Sequence, residues 1–343
     1  MSGVAALGAT LTTSAASVYG AAAAWRRRWY ARHPDRQRRL ARPVISVGNL
    51  GVGGSGKTPL VEHIARLLAS AGERPSILTR GYGRRISGPG ATVVSDGSRV
   101  LACVDESGDE PLMLARALQD AGVVVVVGAD RYVSGLLAEN RFGATVHILD
   151  DGFQHFSLAR DVDLLATSEH DLADHPVPAG RLREELAAAS AADAALVDAG
   201  YLPAAERIGR ALGVTTVFRV TRGIEPPRMV KTGETVVVPV GSRVFAVAGI
   251  ARPERFLSDL TANGWDIVGS IAFRDHHYFT RRDLIRIERE ARKAAAAIVL
   301  TTAKDAVRLA PDDLRDLPLA LVPLTASIEP SADFLAWLRG RLS

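Results

Sequence analysis

Three features of the sequence predict an α/β fold, a parallel sheet with helices on both faces followed by a smaller α/β unit. From about residue 44 to residue 198, short β-branched apolar runs alternate with longer stretches of helical spacing, the pattern of a parallel sheet with crossover helices. The first run leads into a complete G-x-x-x-x-G-K-[ST] sequence and then an amphipathic stretch, so strand, glycine loop and helix follow in the order of a P-loop NTPase-like domain. The rhythm breaks at 215–240, where valine-rich runs flank Gly223, Pro226, Pro227 and Gly233, and alternation resumes beyond it. The 343 residues therefore divide into a basic N-terminal segment (1–42), a P-loop domain (43–214), a two-stranded linker (215–240) and a smaller C-terminal α/β domain (241–343).

Composition bounds the function. The chain is 47% hydrophobic and 23% charged, enough apolar material for a packed core, which excludes a disordered chain. A single cysteine, Cys103, excludes a disulfide framework and any multi-cysteine metal site. The net charge of +4 is local: residues 1–42 hold eight arginines, no lysine and one aspartate, and the rest is slightly acidic. By charge, the body of the protein is not a nucleic-acid surface.

Residues 1–25 contain no charged side chain, and Arg26, Arg27, Arg28, Arg32, Arg36, Arg38, Arg39 and Arg42 follow them. A secretory signal carries its charges before the apolar run, not after it. The run is also too poor in Leu, Ile and Phe for a transmembrane span. The expectation is a membrane-interfacial helix, with Trp25, Trp29 and Tyr30 at headgroup level and arginines on anionic lipid. A helix with a solvated basic face and an RNA-binding arm are the competing readings.

In chain order, 44–48 reads as a buried strand and leads to Gly51, Gly53, Gly54, Ser55, Gly56, Lys57 and Thr58. Glycines let consecutive backbone N–H groups curl around phosphates. Lys57 brings a charge to the β/γ-phosphates of ATP, and Thr58 offers a hydroxyl to Mg²⁺. The helix after them ends at Gly72 and Pro75. A strand at 76–79 delivers Arg80-Gly81-Tyr82-Gly83-Arg84-Arg85, a cationic, aromatic loop suited to an anionic sugar or phosphate, or an ordinary turn. Ser107-Gly108-Asp109-Glu110-Pro111 fits a capping box, or presents Asp109 as a base for a substrate hydroxyl. Five consecutive valines, 123–127, form a buried strand and place Arg131 on the same rim. The strand at 145–149 ends in Asp150-Asp151-Gly152, a Walker-B-type Mg²⁺ site or a β-turn. Further strands are expected near 162–166, 194–198, 243–249, 266–273, 297–302 and 318–323. The base-reading [NT]-K-x-D motif of GTPases is missing, since Thr302-Ala303-Lys304-Asp305 has the wrong spacing.

Taken together and in order, several blocks resemble those of the tetraacyldisaccharide 4′-kinase (LpxK) family. They are Val44-Ile45-Ser46-Val47-Gly48-Asn49-Leu50 with the glycine loop, Arg80-Gly81-Tyr82-Gly83-Arg84, Gly108-Asp109-Glu110-Pro111 and Leu149-Asp150-Asp151-Gly152-Phe153-Gln154-His155. Pro178-Ala179-Gly180-Arg181-Leu182-Arg183-Glu184, Phe273-Arg274-Asp275-His276-His277 and Thr301-Thr302-Ala303-Lys304-Asp305 complete the set. The resemblance runs from about residue 18 to the C-terminus. It implies transfer of the γ-phosphate of ATP to the 4′-hydroxyl of a tetraacylated glucosamine disaccharide 1-phosphate, a lipid A precursor, giving lipid IVA. It also implies work at the cytoplasmic face of the inner membrane; the N-terminal segment would make the protein peripheral or monotopic there, and a monomer with no nucleic-acid partner is expected. Asp109 would be the catalytic base, paired with His276, and Asp150 and Asp151 would stand on the Mg²⁺ side with Thr58. Arg80, Tyr82, Arg84, Arg131 and Arg183 are the substrate-contact candidates. Arg181 departs from the family pattern, which has proline there. The rivals are a P-loop GTPase or ATPase switch or metallochaperone, and a membrane-associated nucleotide-binding scaffold.

Overall fold

The structure, a computed structural model, describes residues 2–53, 56–86, 88–310, 314 and 317–342, with side chains from residue 15 onward. Gly54 and Ser55 of the glycine loop lie outside the described residues.

Two sheets form among the described residues. Strands β1 (Val44–Gly48), β2 (Pro75–Thr79), β3 (Ala91–Asp96), β4 (Val124–Gly128), β5 (Val146–Asp150), β6 (Val162–Ser168), β7 (Ala194–Asp198) and β8 (Val217–Ile224) lie in the first. Strands β9 (Arg228–Met229), β10 (Arg243–Ala248), β11 (Asp266–Ala272), β12 (Ile298–Thr302) and β13 (Leu319–Val322) form the second, and β14 (Leu324–Glu329) returns to the first. The nine-stranded sheet has the order β14-β8-β7-β6-β1-β5-β2-β4-β3, and the five-stranded sheet β11-β10-β12-β13-β9. Neighbours from β8 to β4 run parallel, while β14 and β3 flank them antiparallel. In the second sheet only the β13–β9 pair is antiparallel.

The helices are α1 (Ser2–Arg32), α2 (Lys57–Ser70), α3 (Val104–Ser107), α4 (Asp109–Ala117), α5 (Arg131–Phe142), α6 (Leu202–Ala211), α7 (Pro253–Ala262), α8 (Arg281–Lys293), α9 (Ala303–Ala306) and α10 (Ser331–Leu342). Every residue of β1, β2, β4 and β5 is buried, so these strands show no strict apolar–polar alternation; β4 is wholly apolar, and Ser46, Ser76 and His147 are buried polar residues in the others. Leu60, Ile64 and Leu68 of α2, Leu112 and Ala115 of α4, and Phe334 and Leu338 of α10 share one core with the strands. Ala138 of α5 and Ala205 and Ile208 of α6 pack on the opposite face. Helices therefore cover both faces, as the alternation predicts. In the second sheet α8 buries Leu284 and Ile287 on one face, and α7 buries Phe256 and Leu260 on the other.

The stretch 215–240 does not form the two-stranded linker expected of it. Val217–Ile224 is a full member of the first sheet, paired parallel to β7 and antiparallel to β14. Residues 235–238 carry one isolated bridge, Arg228 to Thr235. Nor does the boundary at 241 separate the sheets, because β14 and α10 complete the core of the first. The chain leaves the first sheet after Ile224 and re-enters it at Leu324, and these two residues face each other in the β8–β14 ladder. The antiparallel edge strand β3 also lies outside the expected set.

Candidate active site

The parallel strands of the first sheet point their C-terminal ends at one edge, the place where open α/β sheets bind ligands. Lys57 opens α2 after β1, Asp109 opens α4, Arg131 opens α5 after β4, and Asp150 ends β5. On this rim the Lys57 Nζ donates to Asn49 Oδ1 at 2.7 Å and lies 3.0 Å from Asp151 Oδ1. Arg183 Nη1 donates to the other oxygen of Asp151 at 2.7 Å. Burial raises the Asp151 carboxyl, but Lys57 and Arg183 outweigh it and hold the group below the usual aspartate value. Its neighbour behaves oppositely. Asp150 is 5% exposed, accepts from Thr79 Oγ1 at 3.3 Å, and is pushed up to about 7 by burial and by the Glu110 and Asp151 carboxylates.

This donor set fits a divalent cation. Asp150 is buried and feels the charges of Glu110 and Asp151, and a hard, oxygen-seeking ion would offset that burial and repulsion. Thr58 lines the same cleft. Among the described residues no group of three or more His, Cys, Asp and Glu forms a ready-made metal cage. Mg²⁺ is usually held by one or two carboxylates plus substrate phosphates.

Across the cleft stands the second cluster. Gly108, at φ +84°, lets α4 begin directly under the 80–85 loop, since a Cβ there would meet Tyr82 O at 2.7 Å. Asp109 follows, 3% exposed, with His276 Nδ1 at 3.2 Å from its Oδ2. The same oxygen is touched by the buried Arg308 guanidinium, which also lies 3.1 Å from His276 Nδ1. Lys304 Nζ stands 3.6 Å from Asp109, 3.5 Å from Glu110 and 3.3 Å from Asp275. Burial and Lys304 push the His276 imidazole below its usual value, so it is neutral at neutral pH. Asp151 and His276 both adopt positive φ, at 57° and 60°. Backbone held this way in non-glycine residues costs about 1–3 kcal/mol and collects at functional sites.

A cleft of about 1240 Å³ joins the two clusters. Lys57, Thr58, Asp150 and Asp151 line it from the first sheet, and His276 and Lys304 from the second. Arg80, Tyr82, Arg131 and Arg183 also reach it, and the Tyr82 ring lies 5.7 Å from that of His276. Arg131 is buried and pulled down to about 10 by burial and by Arg80. Asp109 and Arg84 are not on its wall: Asp109 sits behind His276, and Arg84 Nη1 is buried without a hydrogen-bond partner among the described residues. Gly53 borders both this cleft and a small neighbouring pocket of about 30 Å³, which Gly51 also lines. Two contributors were not singled out from sequence. Asn49 has no signal beyond its place before the glycine loop. Arg308 lies four residues after Lys304 and three after Asp305, a helical spacing that puts the three on one side of a turn.

The comparisons with known proteins meet this geometry. The family described as "Tetraacyldisaccharide-1-P 4′-kinase" (LpxK) matches residues 9–343. The chain belongs to the LpxK family. A tetraacyldisaccharide 4′-kinase of Desulfotalea psychrophila is 41% identical over 290 residues, 82% of each chain. One from Geobacter sulfurreducens is 39% identical over 320 residues, 91% of this chain and 87% of the relative. Among solved structures, LpxK from Aquifex aeolicus in complex with ATP superposes with a TM-score of 0.76 at 28% identity, covering 96% of this chain and 98% of that one. The motif blocks thus sit in LpxK order on an LpxK fold, and Arg181, the departure from the family proline, lines the small pocket beside the glycine loop and pairs with Asp174 at 2.9 Å.

Proposed function

We propose that the protein is an ATP-dependent kinase that phosphorylates the 4′-hydroxyl of a tetraacylated glucosamine disaccharide 1-phosphate to give lipid IVA. One observation carries this reading: a phosphate-side cluster (Lys57, Asp150, Asp151, Arg183) and His276, backed by the buried Asp109, line one cleft. The named activity of the relatives and the ATP held by the Aquifex aeolicus enzyme support the same choice of donor and acceptor.

Lys57 and the backbone N–H groups of the glycine loop hold the β/γ-phosphates. Thr58 and the Asp150–Asp151 pair would hold Mg²⁺, which would supply positive charge to the transferring phosphates. Asp109 and His276 act as one base. His276 is the member on the cleft, neutral at the start, and the hydroxyl proton passes to the pair as the oxygen attacks phosphorus. Asp109 orients the ring through Nδ1 and stabilises the charge it acquires. Lys304 and Arg131 supply positive charge to the phosphates from opposite sides. The two sheets act as domains that close on both substrates, which excludes water and suppresses ATP hydrolysis.

We also read α1 as a membrane-interface helix. No helix among the described residues is long and apolar enough to cross a membrane. Val18, Tyr19 and Trp25 are exposed on α1, and its arginines lie toward the C-terminal end. Exposed apolar and aromatic side chains beside basic ones suit an anionic lipid surface, which would be the inner-membrane face that carries the acceptor.

The test is transfer of radiolabelled γ-phosphate from ATP to the monophosphorylated disaccharide in detergent. Label in the lipid, lost in Asp109→Asn, is the expected result. Free phosphate with an unlabelled lipid overturns the kinase reading in favour of a nucleotide switch.

A further inference from the structure

The inward face of α1 is unlike the rest of that helix. Ala16 and Gly20 are buried, while Val18 and Tyr19 beside them are exposed. Ala16, Gly20, Ala23, Arg27 and Tyr30 fall at helical spacing on one stripe. Small residues let this stripe lie close to the body of the protein: a Cβ on Gly20 would meet Glu185 Oε1 at 2.8 Å. At the end of the stripe Arg27 forms a fork with Glu184, Nε to Oε2 at 2.7 Å and Nη2 to Oε1 at 2.7 Å. Glu184 is 2% exposed, so this is a buried bidentate pair rather than a surface contact. The Arg27 guanidinium also lies over the Phe153 ring at 4.4 Å and the Phe156 ring at 4.9 Å, and Nη2 donates to Phe153 O at 3.4 Å.

Both ends of this contact adjoin the phosphate-side cluster. Glu184 follows Arg183, which holds Asp151. Phe153 follows Asp151 and Gly152, and Gln154 Nε2 donates to Asn49 O, whose side chain holds Lys57. We infer that Arg27 is a positioning residue for catalysis: it ties the N-terminal helix to the 150–156 and 181–185 loops and fixes Arg183 and Asp151 against Lys57. The helix then does two jobs with two faces, lipid outward and active-site loops inward. A charged fork is demanding of geometry, so a shift of α1 is felt at Asp151.

This inference rests on the kinase reading. The test measures phosphate transfer in detergent micelles, where membrane recruitment does not limit the rate, for wild type, Arg27→Ala, Arg27→Lys, and the charge-swapped double variant Arg27→Glu with Glu184→Arg. Wild type must label the lipid, and its failure to do so sinks the kinase reading itself. With wild type active, Arg27→Ala is expected to lose about 10- to 100-fold in kcat, the usual cost of removing an outer-shell partner. Its KM for the disaccharide and its partition onto anionic vesicles should stay at wild-type values. The charge-swapped variant should recover part of the loss. If Arg27→Ala does not fold, Arg27→Lys, which keeps the charge without the fork, carries the same expectation at smaller size. Wild-type kcat in the folded single variants, or a charge-swapped variant no better than Arg27→Ala, overturns the inference.

Discussion

A carboxylate in contact with a buried guanidinium is a weak proton acceptor, and Asp109 touches Arg308 as well as His276. Arg308 therefore lowers the basicity of the pair alongside burial and Lys304. Replacing it with Gln should move the acid limb of the kcat–pH profile upward, and an unmoved limb would remove Arg308 from the proton path. Asp109→Asn should cost about 10²- to 10⁴-fold in kcat, the span of general-base catalysis, read in the same transfer assay. Asp150 gives a thermodynamic prediction. The folded chain keeps its proton up to about 7, whereas an unfolded aspartate loses it near about 3.9. The folded state binds more protons across that window, so this contribution to stability is full below it and is lost as pH rises through 7. The Tm of cation-free protein should fall from about pH 5 to 8, the Asp150→Asn variant should fall less, and MgCl₂ should restore more at the alkaline end. A pH-independent difference between the two proteins would refute the assignment. Lys57 could be placed at the cleft from the glycine-loop motif alone, whereas the blocks of Asp109 and Asp150–Asp151 also fitted a capping box and a β-turn, and only the resemblance to a family favoured a site. Arg308 could not be picked out, since its partner Asp109 lies 199 residues away and only folding joins them.

At the scale of elements, periodicity identified the buried strands and the helices around them, because burial on both faces leaves a mostly apolar run. It says nothing about which strand pairs with which. The valine-rich run at 217–224 looked local, yet its partners are β7 and β14, the latter about a hundred residues on. The same blindness assigned α10 to the C-terminal domain, although Phe334 is fully buried against Phe218 of β8, with ring centroids 5.1 Å apart at 82°. Phe334→Ala should therefore destabilise the nucleotide-binding sheet by about 3–5 kcal/mol. Chemical denaturation followed by a probe in the first sheet measures it, and an unchanged midpoint there would detach α10 from that core.

For the whole molecule, net charge was a poor guide until it was resolved along the chain. The arginines of the first 42 residues account for the basic balance. Binding to vesicles should accordingly require anionic lipid and weaken as salt screens it; equal sedimentation with zwitterionic vesicles at high salt would contradict that. The two sheets meet at other side chains besides Asp109, His276, Lys304 and Arg308, and Val307 of the second part packs into the core of the first sheet. Tyr278 donates to Asp105 at 3.1 Å under the Arg85 guanidinium, and Arg255 reaches Asp198 at 3.1 Å. Their covalent link is more telling. The second sheet hangs from two chain crossings that sit on a single rung, Ile224 opposite Leu324, braced by Glu225 N donating to Pro323 O at 3.0 Å. Closure of the second sheet on the first would therefore pivot about that rung, and the His276 side would approach the phosphates along an arc set by the two crossings.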